Sequence, residues 1–189
     1  MPALKSDLVP RILDVFLERG YDGATLVHLA NAAGLSKASL YHHYPGGKVE
    51  MAAALVHHAI ADLQNQAFNP LQTQPPREGI VLFVSGFSNY VQGGHSDCIL
   101  SILGRHLTAH EEISPLKEAI SSQFNDWQHS LAAIYEQLGC KPKRANREAQ
   151  QLLSSLYGAL LTSKMHNKPE LFARAIKRIQ KELGRTYEA

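Results

Sequence analysis

The chain has 189 residues, of which 44% are hydrophobic and 19% are charged, and its formal net charge is +2. This length and apolar content are typical of a globular protein with one large domain or two small ones. No stretch approaches the ~20 apolar residues of a membrane-spanning helix, and the N-terminus lacks a signal-peptide pattern, so we expect a cytoplasmic protein with no membrane contact. Cys98 and Cys140 are too few for a disulfide framework and lack the spacing of a metal or redox motif.

Basic and acidic residues are distributed unevenly along the chain. Residues 1–58 contain five Lys or Arg and five Asp or Glu, residues 59–140 contain three and eight, and residues 141–189 contain eleven and four. The acidic middle favours a neutral or cationic small molecule over an anionic one. The basic C-terminal part is typical of a solvated helix face.

Apolar residues recur at i, i+3 and i+4 in most windows and strand patterns are nearly absent, which predicts an all-α fold. Pro10 is expected in the first turn of the first helix and Gly20 at its end. Residues 69–78 contain three prolines and are predicted to form a loop. We predict nine helices, with approximate bounds 8–19, 26–33, 37–43, 48–66, 79–92, 98–110, 114–139, 143–165 and 169–183.

The second and third predicted helices are short and are joined by a tight turn at Gly34, which is the arrangement of a helix-turn-helix. In this motif the second helix enters the major groove of DNA. Leu29, Leu35 and Leu40 are expected to anchor both helices. If Leu40 faces the core, the helical periodicity turns residues 38 and 42 away from it, with residues 39 and 41 on either side.

The same stretch is free of carboxylates from Gly23 to Val49 and contains two lysines and three histidines. Thr25, Ser36 and Lys48 each lie at the predicted start of a helix, where free N–H groups and the helix dipole favour a phosphate. The composition therefore predicts an anionic partner. A helical corner without a ligand is the alternative that periodicity leaves open.

Residues 11–55 resemble the N-terminal DNA-binding region of TetR-type transcriptional regulators, through the segments ILDVFLERGYDGAT and LANAAGLSKASLYHHY and the lysine that follows. The longer turn PGGK, together with GGHSDCILSILG at 93–104, is similar to the LmrA/YxaF branch. The resemblance implies a nine-helix TetR-like fold and a homodimeric repressor that leaves a palindromic operator when a small-molecule effector binds. With the capping and groove-facing residues, the predicted DNA-binding set is Thr25, Ser36, Lys37, Ala38, Ser39, Tyr41, His42, His43 and Lys48.

We predict a DNA-binding domain at 1–47 and an effector-binding and dimerisation domain at 48–189, with residues 48–66 as the linking helix. The last two helices carry apolar stripes that one chain cannot easily cover, which predicts a homodimer. The predicted interface residues are Leu152, Leu153, Leu156, Leu160, Phe172, Ile176 and Ile179.

The resemblance implies an effector cavity among the middle helices, and aromatic side chains there are candidates for its lining. Core filling is the alternative for each of them. No cofactor and no metal are expected, because the histidine pair at 106 and 110 lacks a third ligand at defined spacing. The predicted effector-binding residues are Phe83, Phe87, Tyr90, Leu103, His106, His110, Phe124, Trp127 and Tyr157.

Two other classes of function remain as alternatives. One is a helical enzyme in which His106, His110 and Glu111 act on a small molecule, although the sequence shows no nucleophile motif, paired carboxylates or phosphate loop. The other is a protein-interaction module whose helix-turn-helix has lost DNA binding. We expect a regulator and not an enzyme.

Overall fold

A computed structural model describes residues 5–106 and 111–186, without the side chains of Ser6, His106, Arg185 and Thr186. Two candidate effector contacts, His110 and the His106 side chain, therefore lie outside the described residues. The described part of the chain is helical and contains no strand. Its helices are α1 Lys5–Gly23, α2 Leu26–Ala33, α3 Lys37–His43, α4 Gly47–Leu63, α5 Asn69–Thr73, α6 Pro76–Tyr90, α7 Ile99–His106, α8 Ser114–Gln137, α9 Pro142–Met165 and α10 Pro169–Thr186.

A π-helical turn, Gln64–Phe68, joins α4 to α5 without interruption. When α4, this turn and α5 are counted as one segment, the described residues contain nine α-helical segments. The predicted all-α, nine-helix fold is therefore confirmed. None of the described helices combines the length and apolarity needed to cross a bilayer.

The chain forms two compact units, the first from Met1–Ile60 with Asp97–Ser121 and the second from Ala61–Ser96 with Ser122–Ala189. Helices α4 and α8 contribute residues to both. The two units are defined by packing. The predicted boundary between residues 47 and 48 separates a DNA-binding domain from an effector-binding domain, and it stays a prediction.

In the first unit, α1 packs against α2 and α7. Two of the predicted anchors, Leu29 and Leu40, are fully buried, and Leu35 is half-buried. Helix α1 differs from the prediction at both ends. It begins early enough that Pro10 lies inside it rather than in its first turn, and it continues past a kink at Gly20, whose φ is 66°.

The second unit corrects the prediction of a loop at residues 69–78. Residues 69–73 are helical: Pro70 lies near the start of α5, directly after the π-helical turn, and the Gln74 N–H donates to the Pro70 carbonyl oxygen at 3.2 Å. Gln74 and Pro75 are extended, and Pro76 begins α6. A cluster of prolines here separates two helices by two residues instead of forming a loop.

Two glycines on α6 allow its backbone to touch the helical segment before it. A Cβ atom at Gly86 would lie 1.9 Å from the Gln66 carbonyl oxygen in the π-helical turn, and one at Gly79 would lie 2.9 Å from the Leu71 carbonyl oxygen. Contacts this short cannot exist, so a side chain at either position would push the two segments apart. Helix α6 also packs against α10, which packs against α9.

We expect Gly86→Ala to lower the free energy of unfolding by about 1–3 kcal/mol, because the added methyl group overpacks a backbone contact. Gly104→Ala is the matched control, since a Cβ atom there meets nothing within 4 Å and alanine is the better helix former. Urea unfolding at one protein concentration measures both. Equal stability of the two variants would contradict the close approach at Gly86.

Candidate nucleic-acid interface and effector region

Local hydrogen bonds define the turn between α2 and α3. Thr25 caps α2 by accepting a hydrogen bond from the His28 N–H at 3.3 Å, and Ser36 caps α3 by accepting one from the Ser39 N–H at 3.0 Å. Gly34 ends α2 with a φ of 68°, a left-handed conformation that favours glycine. The predicted capping residues and turn glycine are therefore confirmed.

Helix α3 buries Leu40 and presents its other residues outward. Residues 37, 38, 39 and 42 are exposed, Tyr41 is 44% exposed, and His43 is half-buried. The Ser39 hydroxyl lies 2.9 Å from the Ser36 hydroxyl, so the two form one polar pair at the start of the helix. The outer face of α3 therefore offers hydroxyl, imidazole, phenol and ammonium groups and no carboxylate.

Lys48 lies in the first turn of α4 and is half-buried. Its Nζ donates a hydrogen bond to the Tyr21 carbonyl oxygen at 2.9 Å and lies 4.2 Å from the centroid of the Tyr21 ring. A surface groove brings Lys48 together with two other predicted residues, Thr25 and Tyr41. Its lining residues are Asp22, Ala24, Thr25, Leu26, Tyr41, Pro45, Gly46, Gly47 and Lys48.

Hydrogen bonds connect the turn before α4 to α1 and to α4 itself. Tyr44 is fully buried, and its hydroxyl donates to the Lys5 carbonyl oxygen at 3.3 Å. The Gly46 N–H donates to Glu50 at 2.9 Å, and Glu50 is also paired with the Lys5 ammonium group. The hydrogen bond from Lys5, followed by the one from Gly46, lowers the pKa of Glu50, so the carboxylate is charged near neutral pH.

Five of the predicted effector residues form one cluster of aromatic rings in the second unit. The rings of Phe87 and Tyr157, of Tyr157 and Phe124, and of Phe124 and Trp127 have centroids 5.0–5.3 Å apart. We call the following set the aromatic cluster: Phe68, Phe83, Phe87, Phe124, Trp127 and Tyr157.

Phe68 is the member of the aromatic cluster that the sequence did not indicate. Its ring stacks on Trp127 at 4.9 Å with an interplanar angle of 9°, and it meets the Phe83 ring edge-on at 4.8 Å. It lies in the π-helical turn, just past the end of the predicted linking helix. The apolar residues Leu63, Ala67, Phe68 and Leu71 keep a helical spacing past residue 66, and this signal could have indicated Phe68.

The predicted effector residues differ in how far they are buried. Phe83, Phe87 and Trp127 are almost completely buried, whereas Phe124 and Tyr157 are half-buried. The two half-buried rings line a pocket of about 270 Å³ with Asn125, Gln128, Gln150, Leu153 and Ser154. Tyr90 is half-buried at the end of α6, and Leu103 is fully buried on α7 in the first unit.

The seven predicted interface residues on α9 and α10 require a correction. All of them, Leu152, Leu153, Leu156, Leu160, Phe172, Ile176 and Ile179, are only 0–9% exposed. The chain covers both apolar stripes itself, because α9 and α10 pack against each other and α10 packs against α6. One groove that these two helices leave open is lined by Ser154, Ser155, Gly158, Ala159, Thr162, Leu171, Ala175 and Arg178.

No group of three or more His, Cys, Asp or Glu side chains within residues 5–106 and 111–186 could hold a metal ion. Glu111, a residue of the enzyme alternative, is exposed in the turn before α8.

Comparison with known proteins places this geometry in a family. Residues 11–55 match the model of bacterial regulatory proteins of the tetR family, and residues 76–178 match that of the LmrA/YxaF-like transcriptional regulator C-terminal domain. A similar protein is the HTH-type transcriptional regulator LmrA of Bacillus subtilis, which is 28% identical over 156 residues, with 79% of this chain and 80% of LmrA covered.

Solved structures share the fold. A TetR transcriptional regulator from Legionella pneumophila has a TM-score of 0.80 at 14% identity, with 96% of this chain and 98% of that chain covered. AibR, solved in complex with isovaleryl coenzyme A and operator DNA, has a TM-score of 0.64 at 19% identity, with 82% and 85% covered. The family and these relatives are transcriptional regulators and not enzymes. Since the LmrA/YxaF-like model alone matches more than half of the sequence, the chain belongs to the TetR family of transcriptional regulators, in its LmrA/YxaF-like branch.

Proposed function

We propose that the protein is a homodimeric repressor that binds a palindromic operator and releases it when a small molecule binds. The observation that carries this proposal is the outer face of α3, which is exposed, capped by Ser36 and free of carboxylates. A duplex presents phosphates along its backbone and donors, acceptors and thymine methyl groups in its major groove. The face of α3 is complementary to both.

The proposed DNA-binding residues fall into two main groups, according to the part of DNA that each can contact. Ala38 can touch a thymine methyl group, and Ser39 and His42 can form hydrogen bonds with base edges. Lys37 and Lys48 suit the phosphate backbone, which positions a protein without reading sequence. The remaining members of the proposed DNA-binding set, Thr25, Ser36, Tyr41 and His43, lie around these two groups.

We expect Lys48→Ala to weaken binding to all DNA sequences alike and to reduce the slope of log affinity against log salt by about 0.9, as for one lost phosphate contact. We expect His42→Ala to change the preference among operator variants instead. Fluorescence anisotropy with a set of operator variants at several salt concentrations measures both effects. Lys177→Ala, at an exposed position on α10, controls for the loss of charge.

Identical behaviour of the Lys48 and His42 variants would contradict the division of roles. Failure of the wild-type protein to bind any double-stranded fragment from its native locus, even at low salt, would instead favour the alternative of an interaction module without DNA binding.

The aromatic cluster and its pocket support release by a small molecule. AibR is a neighbour in fold that was solved with both a coenzyme A ester and operator DNA. In this chain Phe124 and Tyr157 line an open pocket, and the buried Trp127 Nε1 has no hydrogen-bond partner among the described residues. Trp127 does not itself line this pocket, but its ring packs edge-on against Phe124, which does, so a ligand that displaces Phe124 would also change the surroundings of Trp127.

Trp127 is the single tryptophan of the sequence, so its fluorescence reports on the aromatic cluster. We expect neutral or cationic aromatic compounds that release the operator to change this fluorescence, and anionic ones to be less effective, because residues 59–140 are acidic. Tyr157→Ala should weaken release at least several-fold while leaving operator affinity without compound unchanged. Its control is His129→Ala, at an exposed position of α8 that does not line this pocket. Equal release by the two variants would contradict the assignment.

The groove between α9 and α10 supports dimerisation through these helices. Small residues such as Gly158 and Ala159 allow a facing helix to approach closely. Beside this groove Leu161 is 53% exposed and Met165 is 80% exposed, which is unusual for large apolar side chains unless a partner covers them. We propose the exposed surface, and not the buried stripes beneath it, as the contact between two copies.

Light scattering should report twice the chain mass of 20.9 kDa for the wild-type protein and a single chain for Gly158→Glu, because a charge would be buried in the contact. Asn146→Glu adds the same charge at an exposed position near the start of α9 and should leave the mass unchanged. A wild-type protein of single-chain mass at micromolar concentration would refute the dimer.

A further inference from the structure

The ammonium group of Lys48 is held against Tyr21 and does not extend freely into solvent. One of its three protons is donated to the Tyr21 carbonyl oxygen at 2.9 Å, and the ring face, with its centroid 4.2 Å away, attracts the cation. Two protons remain for an anion. Where they point depends on the position of Tyr21.

The Tyr21 hydroxyl forms a hydrogen bond with a residue that is distant in the sequence. Tyr21 is 1% exposed, and a buried phenol needs a hydrogen-bond partner. That partner is the Glu112 side chain. Burial, followed by the charges of Glu112 and Asp22 and the hydrogen bond to Glu112, raises the pKa of Tyr21 to about 12, so the hydroxyl keeps its proton and donates it.

Glu112 belongs to a turn that is anchored in the first unit. The 3-10 turn Glu111–Ile113 runs directly into α8. Ile113 is fully buried, and Leu116 and Ile120 near the start of α8 are also buried. The Glu112 side chain is exposed, but its backbone is fixed by the neighbour that follows it.

We infer that Glu112 is a positioning residue for operator binding, because it holds the Tyr21 ring in the orientation that aims the Lys48 ammonium group at the DNA backbone. The inference rests on the proposed contact between Lys48 and a phosphate. Glu112 does not itself bind DNA, and its negative charge alone would weaken the attraction for a duplex. The positioning of Tyr21 by Glu112 would raise the affinity for DNA, whereas the negative charge of Glu112 would lower it. A substitution of Glu112 therefore distinguishes the two effects by the direction in which affinity changes.

The test measures operator affinity at several salt concentrations for the full-length protein. We expect Glu112→Ala and Tyr21→Phe each to weaken binding roughly three- to tenfold and to reduce the slope of log affinity against log salt by up to about 0.9. Glu112→Gln keeps an acceptor for the hydroxyl group and should restore most of the affinity. In a Lys48→Ala background, neither substitution should weaken binding further, and Glu112→Ala should leave the affinity equal or slightly higher, as Glu111→Ala does.

Glu111→Ala removes the same charge from the same exposed turn, so it is the matched control. It should leave the salt slope unchanged and the affinity equal or slightly higher. Thermal unfolding checks that each variant folds, and Tyr21→Phe, which keeps the ring, decides the question if Glu112→Ala does not fold. If the wild-type protein binds the operator and the Glu112 and Tyr21 variants behave like Glu111→Ala, the inference is wrong. If the wild-type protein binds no duplex, the proposed function is wrong.

Discussion

A helix of seven residues such as α3 does not persist in water by itself, because its few hydrogen bonds do not offset the cost of the first turn. Two local features hold it in place. Leu40 is fully buried, which contributes about 2 kcal/mol, and the Ser36 cap contributes about 1 kcal/mol. The outward residues share the backbone that these contacts fix. Their outward direction therefore depends on one leucine and one serine.

The rest of the first unit makes that attachment rigid. Arg11 donates a hydrogen bond to the Ala33 carbonyl oxygen at 3.1 Å, which ties α1 to the end of α2. Tyr44 connects the turn after α3 to the start of α1. On the opposite side, Lys48 and Tyr21 connect the start of α4 to the turn that precedes α8. Two hydrogen bonds, both made by Tyr21, therefore connect the turn Glu111–Ile113 to the lysine of the proposed phosphate contact.

The second unit depends on close backbone contact and stacked rings. Gly79 and Gly86 let α6 touch the segment that contains the π-helical turn, and the same turn places Phe68 on Trp127. Helix α8 carries Trp127 and, through its first residues, also belongs to the first unit. The helix that contributes to the proposed effector pocket thus begins directly after the turn that contains Glu112.

Short-range features followed from the sequence by itself. The caps at Thr25 and Ser36 and the turn at Gly34 were predicted because each depends on hydrogen bonds or backbone angles within a few residues. The all-α fold and the helix-turn-helix followed from periodicity for the same reason. The tertiary structure alone decided that α10 and α6 cover the apolar stripes, that Phe68 joins the aromatic cluster, and that Glu112 holds Tyr21. A periodic pattern shows which side of a helix is apolar, but it does not show which distant segment packs there.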